Sequence, residues 1–340
     1  MKKVIILVLI IILSFSLFVG CDKQTTPSKG DKSKEAEAVL AYIAAADGNY
    51  VISGQQESTW MTPLDYEFEY IYQASGKYPA IRGLDYINDD FEGVNERAIE
   101  WWNKGGIVTI CWHTGKNYTG GYNDCKDDVV DDWDKLLTEG TDEYNAMIAG
   151  IDKAAKALKE LKDLNIPVLW RPYHEAYGDW FWWGKAEEGQ DVVRAERYVK
   201  LWQIMYDRYT DYWKLDNLIW VLGYSHMTYE WERPKNPGKY ADKWNPGAEY
   251  YDIIGADTYQ AGLHVKLNTK IKSMNDGNKP TAYHECGENP TVEELQKTNW
   301  AYFMTWHTEY LVDRNTTESL NTLYNSDYII TLDELPNFKG

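Results

Sequence analysis

Residues 144–175, YNAMIAGIDKAAKALKELKDLNIPVLWRPYHE, read as a helix that runs into a strand with a polar end. Tyr144, Met147, Ile148, Ile151, Ala155, Leu158 and Leu161 recur at spacings of three and four, which lays one apolar stripe along a helix. Asn165 and Pro167 stop it. The run from Ile166 is then short, branched and aromatic, as a buried strand is, and it closes on His174 and Glu175.

The same alternation extends in both directions. Runs that fit strands begin at Tyr50 (YVISGQQE), Tyr78 (YPAIRGLDYI), Gly106 (GIVTICWH), Ile166, Asn217 (NLIWVLGYSH), Asp252 (DIIGADTYQ), Pro280 (PTAYHE) and Trp300 (WAYFMTWH). Amphipathic segments lie between several of them. One is Asp191–Trp213, with Val192, Ala195, Val199, Trp202 and Tyr206 along one face; VNERAIEWWNK from Val94 is a weaker example. Strand and helix in alternation fit both a doubly wound sheet and a barrel, and the count of eight selects an α/β fold of the (β/α)8 TIM-barrel type, one domain over residues 37–340.

In such barrels the loops at the C-terminal ends of the strands converge over the mouth. Polar and aromatic residues collect at those ends here: Gln55, Gln56 and Glu57, then Asp85 and Tyr86, Trp112 and His113, His174 and Glu175. Tyr224, Ser225 and His226 follow, then Asp257 and Tyr259, His284 and Glu285, Trp306 and His307.

The N-terminus is separate. Lys2 and Lys3 precede an apolar run from Val4 to Val19 that ends at Gly20-Cys21, the layout of a secretory signal over residues 1–20. It resembles a bacterial lipobox, with Cys21 as the lipidated residue, although Phe18 stands where Leu is usual. A plain signal peptide and an N-terminal anchor are the other readings; all three send the domain outside the cytoplasm. Residues 21–36 are polar and Lys-rich and are expected to form a flexible tether.

With 44% hydrophobic and 26% charged residues the rest is an ordinary globular chain, not a disordered one. The formal net charge of −18 becomes −20 once the two signal lysines are removed. Such a surface repels nucleic acid and anionic lipid, so the expected membrane contact is through the lipid on Cys21 alone. Cys111, Cys125 and Cys286 allow at most one disulfide and match no zinc spacing. Neither a metal nor a cofactor is expected. The acidic run YNDCKDDVVDDWD from Tyr122 is the one place for calcium, and such runs are more often solvated surface.

Breaking a glycosidic bond between neutral sugars takes one carboxylic acid to protonate the leaving oxygen and one carboxylate facing the anomeric carbon. Glu175 and Glu285, at the ends of the fourth and seventh strands, can face each other across the mouth. His174 and His284 precede them and can orient hydroxyls or tune protonation. Sugars stack their C–H faces on aromatic rings, which accounts for a glutamate set beside WFWW at 180–183. In a partly dry cleft its pKa rises, as an acid catalyst requires. Trp170, Trp182 and Trp183 fit the core as well as they fit a sugar site, whereas Trp180 reads as a sugar contact. Asp257 reads equally as a structural partner, His226 as a loop residue, and Glu57, Glu249 and Glu288 as strand-end or loop carboxylates.

RPYHEAYGDWFWWG (171–184) resembles the acid/base motif of glycoside hydrolase family 26, and TAYHECGENP (281–290) resembles its nucleophile motif. SGQQE, GLDY, WHTGKNY, WNPGAEYYDIIGADTY, FMTWHTEY and SDYIITLDELP also fall in the family's order, so the likeness covers about residues 38–340. The resemblance implies a retaining double displacement without metal, with Glu175 as acid/base and Glu285 as nucleophile. Further, His174 would bond near the nucleophile, Trp180 would line the site and Tyr259 would hold Glu285. His113 would reach a hydroxyl in the subsite before the scissile bond, with Trp306 as its floor. The implied activity is endo-β-1,4-mannanase on mannan, glucomannan or galactomannan, by a monomer. Mixed-linkage β-glucan and β-1,3-xylan remain open as substrates. A non-catalytic oligosaccharide-binding lipoprotein is the rival from another class; such proteins usually have two lobes and need no opposed glutamates.

Overall fold

The computed structural model describes residue 26 and residues 28–185, 189–228 and 240–339. The expected signal over residues 1–20 and Cys21 lie outside the described residues.

Eight parallel strands close into a barrel: β1 Gly54–Gln56, β2 Ile81–Asp85, β3 Ile107–Cys111, β4 Val168–Arg171, β5 Leu218–Tyr224, β6 Ile253–Thr258, β7 Thr281–Cys286 and β8 Phe303–Thr305. Every strand residue is buried, because helices cover the outside and side chains fill the inside. The ring closes unevenly. β2 and β3 pair at five positions, whereas β1 meets β8 only at Gln55↔Thr305.

The helix Asp142–Asp163 shows how local sequence sets the frame. The Thr141 hydroxyl accepts from the Tyr144 amide at 3.1 Å, and Asp142 and Glu143 sit in the first turn, where the helix dipole favours negative charge. Met147, Ile151, Ala155, Leu158 and Leu161 are buried against the barrel. Burying each large apolar side chain contributes roughly 1.5–3 kcal/mol. Asn165, at φ 56°, then turns the chain into β4. Helices Tyr66–Ser75, Phe91–Asn103, Asp191–Asp207 and Leu263–Ser273 complete much of the outer layer.

Residues 28–36 fall in the stretch expected to be a tether, yet they belong to the folded body. Lys32 pairs with Asp252 at 2.8 Å, the Ser33 amide donates to the Asp216 carbonyl at 2.7 Å, and the Ser33 hydroxyl caps a helix from Lys34 to Ala44. Ala36, Val39 and Ile43 bury its inner face. Asp216 and Asp252 precede β5 and β6, so this segment closes the barrel at the end opposite the mouth. The run expected as one strand from Tyr50 is two: Val51–Ile52 pairs outside the barrel with Ile329–Ile330 before β1 begins. Cys111, Cys125 and Cys286 are buried free thiols, so Cys111 and Cys125 do not pair. Among the described residues no helix is long and apolar enough to cross a membrane.

Candidate active site

β7 carries one extra residue against its neighbour. Ala256 pairs with Tyr283 and Asp257 with Glu285, which leaves His284 as a bulge. Two consecutive side chains therefore reach the same guanidinium. Arg171 Nη1, from the end of β4, donates to Glu285 Oε2 at 2.7 Å and lies 3.4 Å from His284 Nδ1. The other Glu285 oxygen accepts from the Tyr259 hydroxyl. Space for the His284 ring comes from Gly223 on β5 and Gly255 on β6, where an added Cβ would stand 2.5 Å and 3.1 Å from ring atoms. Burial, with Arg171 beside it, holds the His284 imidazole well below its usual pKa.

Glu175 stands four residues beyond β4 with φ at 58°, a left-handed conformation that costs a non-glycine residue about 1–3 kcal/mol. Its carboxylate accepts from the Trp180 indole N–H. Burial first, and the Glu285 charge second, push its pKa up to about 8. An oxygen of Glu175, one of Asp257 and one of Glu285 all lie within 4.8 Å of one another. Asp257 is also pushed well above the carboxylate range, by burial and by the two glutamates, and its Oδ1 has no protein partner.

A third group joins them. Asp85 Oδ2 lies 2.6 Å from His113 Nδ1, and His113 Nε2 lies 3.1 Å from His174 Nε2. Asp85 thereby accepts a hydrogen bond from the Nδ1–H of His113 and turns its Nε2 toward His174. His174, expected to bond near the nucleophile, has its Nε2 within 3.1 Å of His113 Nε2, while the two Glu285 oxygens accept from Arg171 and Tyr259.

Asp85, His113, Glu175, Asp257, Tyr259 and Glu285 line one cavity of about 520 Å³ at the C-terminal ends of the strands, with Trp180, Trp306, Tyr122 and Phe181 on its walls. The Trp180 ring stacks on His226 at 5.6 Å and 13°. Trp170, Trp182 and Trp183 are core: each is at most 2% exposed, and the Trp182 and Trp183 indoles donate to the carbonyls of Thr114 and His174. Glu57 also reaches the cavity but is held by Arg82 and Arg97, while His226, read as a loop residue, lines it.

The Glu175, Asp257 and Glu285 cluster is the set best able to hold a cation by its donor atoms. The Arg171 guanidinium at Glu285 already supplies a positive charge there and opposes a second one. The other set, Cys111, His113 and His174, has its His113 Nδ1 committed to Asp85.

The sequence profile of glycosyl hydrolase family 26 matches residues 28–334. The chain belongs to glycosyl hydrolase family 26. Among family relatives, a mannan endo-1,4-beta-mannosidase B of Piromyces sp is 33% identical over 78% of this chain and 46% of its own length. A mannan endo-1,4-beta-mannosidase of Thermothelomyces thermophilus is 31% identical over 89% of this chain and 62% of its own. The chain thus spans less than two thirds of either. One from Bacillus subtilis (strain 168) is 29% identical, covering 92% and 88%. Two solved structures superpose closely. GH26A from Muricauda sp. MAR_2010_75 gives a TM-score of 0.79 at 30% identity over 90% of this chain and 99% of that one. A beta-mannanase from a symbiotic protist of the termite Reticulitermes speratus, complexed with gluco-manno-oligosaccharide, gives 0.77 at 26% over 91% and 100%. The closed barrel is the fold expected of family 26.

Within this family-26 site, sequence reading missed Arg171, Asp85 as the partner of His113, and Tyr122. Arg171 had a signal: a charge inside the otherwise apolar run IPVLWRP. Tyr122 had none, since it reaches the cavity from a long loop and meets the His113 ring at 5.7 Å.

Proposed function

We propose that this protein is an endo-acting retaining β-1,4-mannosidase that cleaves mannan, glucomannan or galactomannan, with Glu175 as acid/base and Glu285 as nucleophile. One observation carries the reading: carboxyl oxygens of Glu175 and Glu285 lie within 4.8 Å, and burial together with Glu285 pushes the Glu175 pKa to about 8. So short a gap favours direct attack over an inverting water, which needs the carboxyl groups roughly 6.5–9.5 Å apart.

In the first step Glu175 gives its proton to the glycosidic oxygen. The aglycone leaves as an alcohol while a Glu285 oxygen bonds to the anomeric carbon. In the second step Glu175 takes a proton from water, the hydroxide replaces Glu285, and the sugar leaves with its original configuration. Arg171 and Tyr259 hold Glu285 in line. Trp180, fixed by its bond to Glu175, offers a face for a sugar ring. The names of the relatives support mannan as the substrate.

The test is reducing-sugar release by residues 28–340 from glucomannan, galactomannan, mixed-linkage β-glucan and β-1,3-xylan, with Glu285→Ala as blank. Release from the mannans alone is expected. Release only from glucan or xylan keeps the two glutamates and changes the substrate, and silence on all four favours the oligosaccharide-binding reading.

The N-terminal motif further supports a lipid anchor on Cys21 and a place outside the cytoplasm. Mass spectrometry of the N-terminal peptide of full-length protein tests it: a diacylglyceryl adduct on Cys21 is expected, and an unmodified Cys21 removes the anchor.

A further inference from the structure

Glu67 is a carboxylate with no exposure to solvent, in the first turn of the helix Tyr66–Ser75. Among the described residues it has no basic partner. It accepts instead from two backbone amides in different loops: Oε2 from Ser58 N at 3.4 Å and Oε1 from Thr308 N at 3.0 Å. Ser58 follows β1 and Thr308 follows β8, the two strands that meet at a single ladder position. With so little sheet to register them, these loops depend on side chains. Gln55 Nε2 adds a bond to the Trp306 carbonyl at 3.1 Å.

The tethered loops carry aromatic rings into the cavity. Trp60 meets His307 edge-on at 4.5 Å, and His307 meets Trp306 at 4.7 Å. Thr308 sits at φ 47° and ψ −118°, a conformation that β-branched residues avoid and that persists only where surroundings hold it. The Glu67 bond to its amide is one such hold.

We propose that Glu67 is a positioning residue. Its carboxylate staples the loops after β1 and β8, so that Trp60, His307 and Trp306 form one wall along which a saccharide chain extends from the cleaved bond. The inference rests on the glycosidase reading. A carboxylate serving stability alone would leave the dependence on saccharide length untouched.

The experiment compares wild type, Glu67→Ala, Glu67→Gln, Trp60→Ala and the Glu67→Ala/Trp60→Ala double variant. It reads kcat and KM on β-1,4-manno-oligosaccharides of three to six units, and in a Glu175→Gln background it reads binding of the hexasaccharide. Glu67→Ala is expected to raise KM about tenfold on the longest substrate and much less on the shortest, with kcat little changed. Glu67→Gln, which keeps one acceptor and points an amide N–H₂ at the other donor, should fall between. The double variant should bind the hexasaccharide no worse than Glu67→Ala by more than twofold. If Glu67→Ala does not fold, Glu67→Gln carries the test alone. A lower Tm with an unchanged length profile, or fully multiplicative losses in the double variant, overturns the proposal. If wild type binds the hexasaccharide without cleaving it, the glycosidase reading fails while the binding contrast still decides the role of Glu67. Absence of binding by wild type overturns both.

Discussion

Arg171 and Glu285 meet across the barrel at 2.7 Å, and each is only 1% exposed. A buried ion pair of this kind brings little net stability, because desolvation offsets the attraction, but losing one partner strands the other charge. Its value here is positional: the pair points Glu285 toward Glu175 from a strand that the His284 bulge has already displaced.

Replacing Arg171 should therefore harm both stability and chemistry. Arg171→Met is expected to cost about 3–5 kcal/mol in urea unfolding, by leaving Glu285 unpaired. Arg171→Lys keeps the charge but loses the planar fork, and kcat should drop on the order of 100-fold with a smaller stability loss. Full kcat in a folded Arg171→Lys protein would remove Arg171 from the positioning of the nucleophile.

The pH dependence follows from Glu175. With its pKa at about 8, kcat/KM should fall on the alkaline side as pH passes that value and the acid loses its proton. The stability effect has a definite sign. Between about 4.5 and 8 the folded chain holds a proton that the unfolded chain releases, so this group's contribution is present below 4.5 and is lost as pH rises toward 8. Glu175→Gln removes that slope. It should match wild type near pH 4 and exceed it by roughly 1–3 kcal/mol at pH 8 in urea titrations. Parallel pH profiles for the two proteins would contradict the raised pKa.

Neighbouring tryptophans should separate by readout. Trp180→Ala is expected to lower kcat/KM by about 5- to 150-fold, the size of an aromatic contact worth roughly 1–3 kcal/mol, with Tm near wild type. Trp182→Ala should instead cost about 3–5 kcal/mol of stability, since its ring has no exposure and its N–H bonds the Thr114 carbonyl at 2.8 Å. Thermal melts beside initial rates check both.

Much of the fold was legible in the sequence because every barrel strand but β1, which is Gly-Gln-Gln, is a short apolar run that ends in polar groups. Each of the eight runs overlaps one of the eight barrel strands. The site was legible where a motif is local, as in His174-Glu175 followed by Trp180. It was hidden where the partners are far apart in the chain: Asp85 with His113, Arg171 with Glu285, Glu67 with Thr308. The helix Lys34–Ala44 was overlooked beneath a polar composition, although Ala36, Val39 and Ile43 carry helical spacing. The split after Ile52 follows from a parallel pairing with Ile329, which no periodicity near residue 50 encodes.

Gly223 links the barrel wall to the nucleophile. In Gly223→Ala the new Cβ would stand 2.5 Å from His284 Nε2, so the ring must move. The overpacking should cost roughly 1–3 kcal/mol, and kcat should fall with it because His284 backs Arg171. A variant that loses stability while keeping kcat would show that Arg171 holds Glu285 without help from His284.

Double displacement by Glu175 and Glu285 is read from the anomeric configuration of the first product. Proton NMR of manno-oligosaccharide hydrolysis, recorded before mutarotation, should show the β-anomer forming first. Initial release of the α-anomer would mean inversion, and would contradict Glu285 as the nucleophile.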